Sequence, residues 1–182
     1  MSAAAAAARQ QPQPQPAGTA EALLVAVDDS EASDRAFDFA VRYLHRPGVE
    51  LHLVHVVPRL HFAAAYGVPP VDFVPVADSN EYEKVIQRAE QFIIERFVNK
   101  LPSDFTPSPV VHIIKSEVDT ESVGHILVKK ADQLNAVALV MSSHSKSRLT
   151  EFFLGSCTSY CTHHAHRPVV VVPPPRQAQG AA

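Results

Sequence analysis

The 182-residue sequence is poor in cysteine, with Cys157 and Cys161 as its whole complement. Two are too few for a disulfide framework. A spacing of four points to adjacent turns of one helix, a pattern suited to a reducing compartment. Long apolar runs are missing as well; none approaches the ~20 residues needed to cross a bilayer. Nor is there an excess of positive charge. Arg9 is the sole charge in residues 1–20 and Arg176 the sole charge in 173–182, so residues 21–172 carry fourteen basic against nineteen acidic side chains. A segment that acidic lacks the electrostatic footprint of a nucleic-acid or anionic-membrane binder.

The first residues lack the basic start, apolar stretch and cleavage pattern of a secretory signal. They read instead as six alanines, Ala3 to Ala8, followed by a Gln/Pro alternation from Gln10 to Pro16. Neither composition buries a core, so a disordered tail is expected over 1–20, and another over the Pro-rich 173–182. A cytoplasmic location is expected, with an organelle address in the first twenty residues left open. What remains, 21–172, has the length of one domain.

Activated nucleophiles are absent too. No Gly-x-Ser-x-Gly elbow, no Gly-Lys-Ser phosphate loop and no Gly-x-Gly-x-x-Gly follows the first apolar run. Ser30, Asp28 and His55 form a hydrolase-like trio by residue type, but Ser30 is placed to cap a helix and no oxyanion donor accompanies it. No enzymatic turnover beyond slow nucleotide hydrolysis is expected.

Apolar runs do alternate with helical patterns. Ala22 to Val27 reads as a strand covered on both faces. Asp28-Asp29-Ser30 stops it, with Ser30 as N-cap of a helix whose Ala36, Phe37, Ala40, Val41 and Leu44 form one buried stripe. Pro47-Gly48 ends that helix. Val49 to Val57 is a second strand, and Asn80 to Leu101 a second helix with Val85, Ile86, Ala89, Ile93 and Phe97 inward. Val110 to Ile114 is strand three, and Val123, Ile126, Leu127, Ala131 and Leu134 mark helix three. Ala136 to Met141 is strand four. A polar loop, Ser142 to Thr150, leads to a helix starting near Gly155, and Pro168 to Val172 is the last strand.

Strands separated by helices imply parallel neighbours, and right-handed crossovers then give an open five-stranded sheet with helices on both faces. Such sheets bind ligands beyond the carboxyl ends of their strands, where strand order reverses. The long connection Pro58 to Ala77 exceeds the ~12–15 residues usual in compact domains. It carries His61, Phe62, Tyr66 and Phe73 near the end of strand two. It reads either as a fold-over segment for a ligand or partner, or as a mobile flap.

Four stretches carry a resemblance. Ala26-Val27-Asp28-Asp29-Ser30, Val54-His55-Val56, and Met141-Ser142-Ser143-His144-Ser145 followed by Gly155-Ser156 resemble the universal stress protein family, as does the final Arg167-Pro168-Val169-Val170-Val171-Val172. Glu151 to Ser156 resembles its plant branch. The resemblance spans 21–172 and implies a flavodoxin-like fold of the adenine nucleotide alpha hydrolase type. It further implies a stress-response role, an adenine nucleotide as cofactor (ATP or AMP, with or without Mg), and a homodimer paired through Val169, Val170, Val171 and Val172. The alternative is a nucleotide-free dimeric interaction module.

Nucleotide-binding members of that family have a Gly-x-x-Gly loop, nine residues, then Gly-Ser or Gly-Thr. Here those positions are Ser142, Ser145, Gly155 and Ser156, so the spacing is kept while both leading glycines are serines. Glycine reaches positive φ cheaply and lets backbone N–H groups approach phosphate. A serine held there costs ~1–2 kcal/mol, and two would weaken binding by about one to three decades. Their hydroxyls compensate in part by donating to phosphate oxygens. By the same resemblance Asp28 and Val56 line the nucleotide, with Met141, Ser143, His144, Cys157 and Thr158 around the phosphates.

Plainer readings stand beside these. Asp28 is also a turn residue, Gly155-Ser156 also a helix start, and Ser142 to Ser147 also a polar loop. Cys157, Cys161, His163, His164 and His166 cluster in ten residues, a zinc-like set. However, Cys157, Tyr160, Cys161 and His164 share one helical face, where cysteine behaves as a small hydrophobe. No metal site is expected. His55, on a buried strand, reads as a hydrogen-bonded core histidine.

Overall fold

A computed structural model describes residues 21–57, 79–116, 123–143 and 155–174, with backbone alone at 79–82. The tails 1–20 and 175–182, the connection through Pro58 to Ala77, and His144 and Ser145 lie outside the described residues.

The chain alternates strand and helix. β1 (Glu21–Ala26) leads to α1 (Glu31–Phe39), which continues as a π-helical turn (Ala40–Leu44), and then to β2 (Val49–Val57). α2 (Ser79–Arg96) ends in a 3₁₀ turn (Val98–Lys100) before β3 (Val110–Lys115). α3 (Val123–Gln133), β4 (Ala138–Ser142), α4 (Ser156–His164) and β5 (Val169–Val172) complete it. All strand pairs are parallel, in the order β3-β2-β1-β4-β5. Central β1 pairs Val25 with Leu53 on one side and with Val140 on the other. Chain order therefore reverses between β1 and β4. The fold is α/β, as the alternation implies.

Side-chain alternation splits the core in two. Leu23, Val25, Leu51, Leu53 and Val140 pack with Ala36 and Phe37 of α1, with Ala40 of the π-helical turn, and with Ile93 of α2 and Phe97 beyond it. Leu24, Val54, Val56, Leu139 and Met141 pack on the opposite face with Ile126, Leu127 and Ala131 of α3 and Cys161 of α4. Each face buries its own apolar stripe, which is why both sides of the sheet read as continuous hydrophobic runs.

Two helices depart from their sequence patterns. The Ala36–Leu44 stripe is helical throughout, but its last turn widens: the His45 N–H bonds the Ala40 carbonyl at 2.8 Å, five residues back. The second helix, expected to reach Leu101, leaves the α form after Arg96. Pro102 disfavours helical geometry at the preceding residue, and Leu101 is extended (ψ 146°). The intervening residues close as a 3₁₀ turn. No described helix is long and apolar enough to cross a membrane.

Candidate functional site

The crevice at the carboxyl ends of β1 and β4 begins with a tight polar turn. Asp28 donates its backbone N–H to Ser33 Oγ at 2.9 Å, and its Oδ1 accepts from the Ser30 N–H (2.9 Å) and the Ser30 hydroxyl. Ser30 Oγ in turn accepts from the Ser33 N–H at 3.1 Å, capping α1 as the sequence implies. Such a cap stabilises a helix by about 1 kcal/mol. Asp28 is thus engaged as a turn residue.

Two long-range contacts hold this turn. His55 Nδ1–H donates to the Val27 carbonyl at 2.8 Å, fixing its tautomer and pinning the exit of β1 to β2. His55 is the hydrogen-bonded histidine its strand position implies, and its bond is to backbone, not to Ser30 or Asp28. Arg96, from the end of α2, donates to the Asp29 carbonyl at 2.7 Å and to both carboxylate oxygens of Asp34. Those bonds, aided by Lys100 at 3.0 Å, hold the Asp34 carboxyl down at about 2. Arg96 was not legible as a site residue, because nothing local couples a helix end to a turn more than sixty residues earlier.

The second wall comes from β4 and α4. Met141 is 4% exposed, its side chain in the core beside α3 and α4, so its backbone alone faces the crevice. Ser142 pairs with Val172 at the last rung of the sheet, and the Ser143 N–H donates to the Val172 carbonyl at 3.0 Å. Thr158, 1% exposed, donates its hydroxyl to the Ser142 carbonyl at 3.3 Å. Its side chain therefore ties α4 to β4. Gly155 caps α4 without any side-chain oxygen, and no acidic residue occupies the first turn. Ser156, the first helical residue, is exposed. A helix start of this kind presents backbone N–H groups and the positive end of the macrodipole. Val56 is buried at the end of β2, on the same face as Met141.

Cys157 and Cys161 are both free thiols, Cys161 fully buried and Cys157 partly so. Among the described residues no group of three or more His, Cys, Asp or Glu side chains converges as a metal site. A histidine pair escaped the sequence. His52 Nδ1 and His112 Nε2 are 2.8 Å apart with their rings stacked, and His52 Nε2 is 3.2 Å from Glu50. Burial, Lys130 and His52 hold His112 down at about 4.

A parallel sheet whose strand order reverses between β1 and β4, with an aspartate turn and the start of α4 at that reversal, is an α/β arrangement at whose switch point ligands commonly bind. The chain belongs to the universal stress protein family, whose family model matches residues 20–173. It is similar to universal stress protein PHOS34 of Arabidopsis thaliana, at 30% identity over 91% of this chain and 66% of that protein. It thus spans about two thirds of that relative's length. Among solved structures, hypothetical protein MJ0577 shares the fold at a TM-score of 0.65 and 20% identity, covering 88% of this chain and 100% of that one. A universal stress protein in complex with cAMP shares it at 0.55 and 18%, covering 85% and 98%.

Proposed function

We propose that this chain is a stress-response module that binds an adenine nucleotide weakly between the carboxyl ends of β1 and β4. The observation that carries the reading is the meeting, at the strand-order reversal, of the Asp28 turn with the uncapped start of α4. The aspartate suits ribose or base hydroxyl and amino donors. Backbone N–H groups of Ser156 and Cys157, with the Ser156 hydroxyl, suit a phosphate. Val56, buried at the end of β2, supplies apolar surface beneath a base, while Met141 contributes its backbone. The cAMP complex of a protein with this fold supports an adenine nucleotide as the ligand class. ATP and AMP are the candidates, with or without Mg. His144 and Ser145 belong to the proposed phosphate loop by sequence spacing.

Asp28 and Ser30 are committed to a turn, and His55 donates to backbone, so the reading assigns the site to binding rather than to turnover. The proposed assembly is a homodimer through Val169–Val172, an edge strand bracketed by Pro168 and Pro173 that leaves one row of backbone groups for pairing. The proposed location is the cytoplasm, in keeping with two free thiols.

Calorimetric titration of ATP and AMP into the purified protein tests the site. Saturable binding that Asp28→Ala and Ser156→Ala each weaken by about tenfold is expected. Heat indistinguishable from dilution at millimolar nucleotide would leave the second reading, a nucleotide-free interaction module. That reading is favoured by one observation: Asp28 Oδ1 is already occupied by Ser30.

A further inference from the structure

Helix α4 carries the chain's two thiols one turn apart on its core-facing side, Cys157 in the first turn and Cys161 at its middle. Cys161 is fixed. It is fully buried, and its thiol lies 3.6 Å from the Gly124 carbonyl of α3. Cys157 is partly exposed, two residues past the Gly155 cap, at the crevice assigned above to the phosphates.

We propose that Cys157 is a peroxide-reactive thiol and Cys161 its resolving partner, and that the disulfide they form unwinds the first turn of α4. The consequence for ligand binding rests on the nucleotide reading above; the thiol chemistry does not.

Three observations support this. Cys157 occupies the first turn of a nine-residue helix, where the dipole favours a thiolate. The neighbouring Cys161 thiol lowers its proton affinity further, against the opposing effects of burial and Asp28. Conversely, Cys161 is fully buried and held at the Gly124 carbonyl, its proton affinity raised, while Cys157 is partly exposed, so the two thiols differ in role. Lastly, side chains four apart on a helix have Cβ atoms about 5–6 Å apart, whereas a disulfide needs ~3.8 Å. The bond cannot close on an intact helix. Cys161 is locked between Gly124 and the core, so the first turn must yield, breaking the Thr158 bond to the Ser142 carbonyl and taking with it the N–H groups of Ser156 and Cys157.

The chemistry balances with a hydroperoxide as oxidant. The Cys157 thiolate attacks the distal peroxide oxygen; an S–O bond forms, the O–O bond breaks, and the leaving alkoxide or hydroxide takes a proton. Cys157 is thereby oxidised by two electrons to the sulfenic acid. Loss of the thiolate removes the charge that opposed ionisation of Cys161. Cys161 sulfur then attacks Cys157 sulfur; the S–S bond forms, the S–O bond breaks, and water departs with the thiol proton.

The test uses the full chain, reduced and freed of reductant, then exposed to hydrogen peroxide at neutral pH. Intact-mass and peptide analysis should show loss of two hydrogens, with residues 157 and 161 linked. Cys161→Ser should stop at one added oxygen on Cys157, trapped by a sulfenate-specific dione. Cys157→Ser, a change at a partly exposed position, should leave Cys161 unmodified. Hydrogen exchange of residues 156–160 should rise about tenfold or more on oxidation and return with dithiothreitol. ATP titration should detect binding in the reduced state and a loss of about tenfold or more in the oxidised state. Unmodified Cys157 after peroxide, or a disulfide that leaves exchange in α4 unchanged, overturns the proposal. Failure of the reduced protein to bind ATP removes the nucleotide reading, while mass and exchange still decide the thiol switch.

Discussion

Arg96 and Asp34, 62 residues apart, form a two-pronged ion pair. Arg96 Nε lies 3.1 Å from Asp34 Oδ1, and Nη2 lies 2.7 Å from Oδ2. The third nitrogen, Nη1, donates to the Asp29 carbonyl at 2.7 Å, so one side chain fastens the end of α2 to both α1 and the turn that precedes it. The guanidinium also lies over the rings of Phe92 and Phe97, at 5.6 and 6.0 Å from their centroids. This is a positioning residue for the crevice.

Arg96→Ala should lower unfolding stability by about 1–2 kcal/mol, since a charged hydrogen bond to a half-buried carboxylate is lost. Arg96→Lys should recover only part, because a single ammonium cannot serve Asp34 and the Asp29 carbonyl together. Urea midpoints measure both. Equal stability of all three proteins would show the clamp to be idle.

Acid should reveal the same pair. The Asp34 carboxyl is depressed to about 2, so its contribution is fully present above the usual carboxylate value near ~3.9 and lost as pH falls through about 2. The stability gap between wild type and Asp34→Asn should therefore narrow as pH is lowered from 4 toward 2. Denaturant titrations at stepped pH follow it; a gap constant with pH would contradict the assignment.

His112 should respond in a higher window. Its folded-state value of about 4 lies below the ordinary ~6.5 of histidine. The unfolded chain thus binds the extra proton, and the stabilisation present above ~6.5 is lost as pH falls toward 4. His112→Gln should flatten the pH dependence of stability over that interval. Proton NMR titration of the imidazole gives the direct check, and a midpoint at or above 6.5 would refute the burial argument.

Gly124 should not tolerate a side chain. A Cβ placed there would lie 2.9 Å from both Cβ and Cδ1 of Tyr160, closer than real carbons approach. Gly124→Ala should cost about 1–3 kcal/mol by forcing α3 and α4 apart. Adding Tyr160→Ala should relieve part of that cost, visible in a double-mutant cycle of thermal unfolding.

Restoring glycine in the proposed phosphate loop should strengthen nucleotide binding. Ser142 is extended at the end of β4 and has no positive φ, so the strain the sequence implies there is absent. Any gain from Ser142→Gly with Ser145→Gly is expected to come from position 145, about tenfold for ~1–2 kcal/mol. Calorimetry reads the change; unaltered affinity would mean that Ser145 also adopts ordinary backbone angles.

Much of the fold was legible because its signals are local. The run from Val49 to Val57 reads directly as β2, and Ser30 caps α1 through its own neighbour Ser33. Parallel topology follows from strands separated by helices. What the sequence hides is tertiary. His52 meets His112 across two strands 60 residues apart, and Arg96 reaches Asp34 over a similar span. The π turn at Ala40–Leu44 keeps the apolar spacing of an ordinary helix, so periodicity does not expose it. In the candidate site, motif spacing pointed to Asp28, Gly155 and Ser156, but did not foretell that Thr158 and Met141 turn their side chains away into the interior. Burial of that kind depends on which helix covers which strand.

Because β1 is flanked by β2 on one side and by β4 on the other, the crevice draws its two walls from early and late parts of the polypeptide. A nascent chain that has emerged only through β3 has all the partners for a three-stranded ribbon and just one wall of the cleft. The nucleotide site proposed above is therefore complete only after the closing stretch of translation, and a truncation before α4 removes one of its two walls. Occupancy of the crevice would report that the whole domain has been made and assembled.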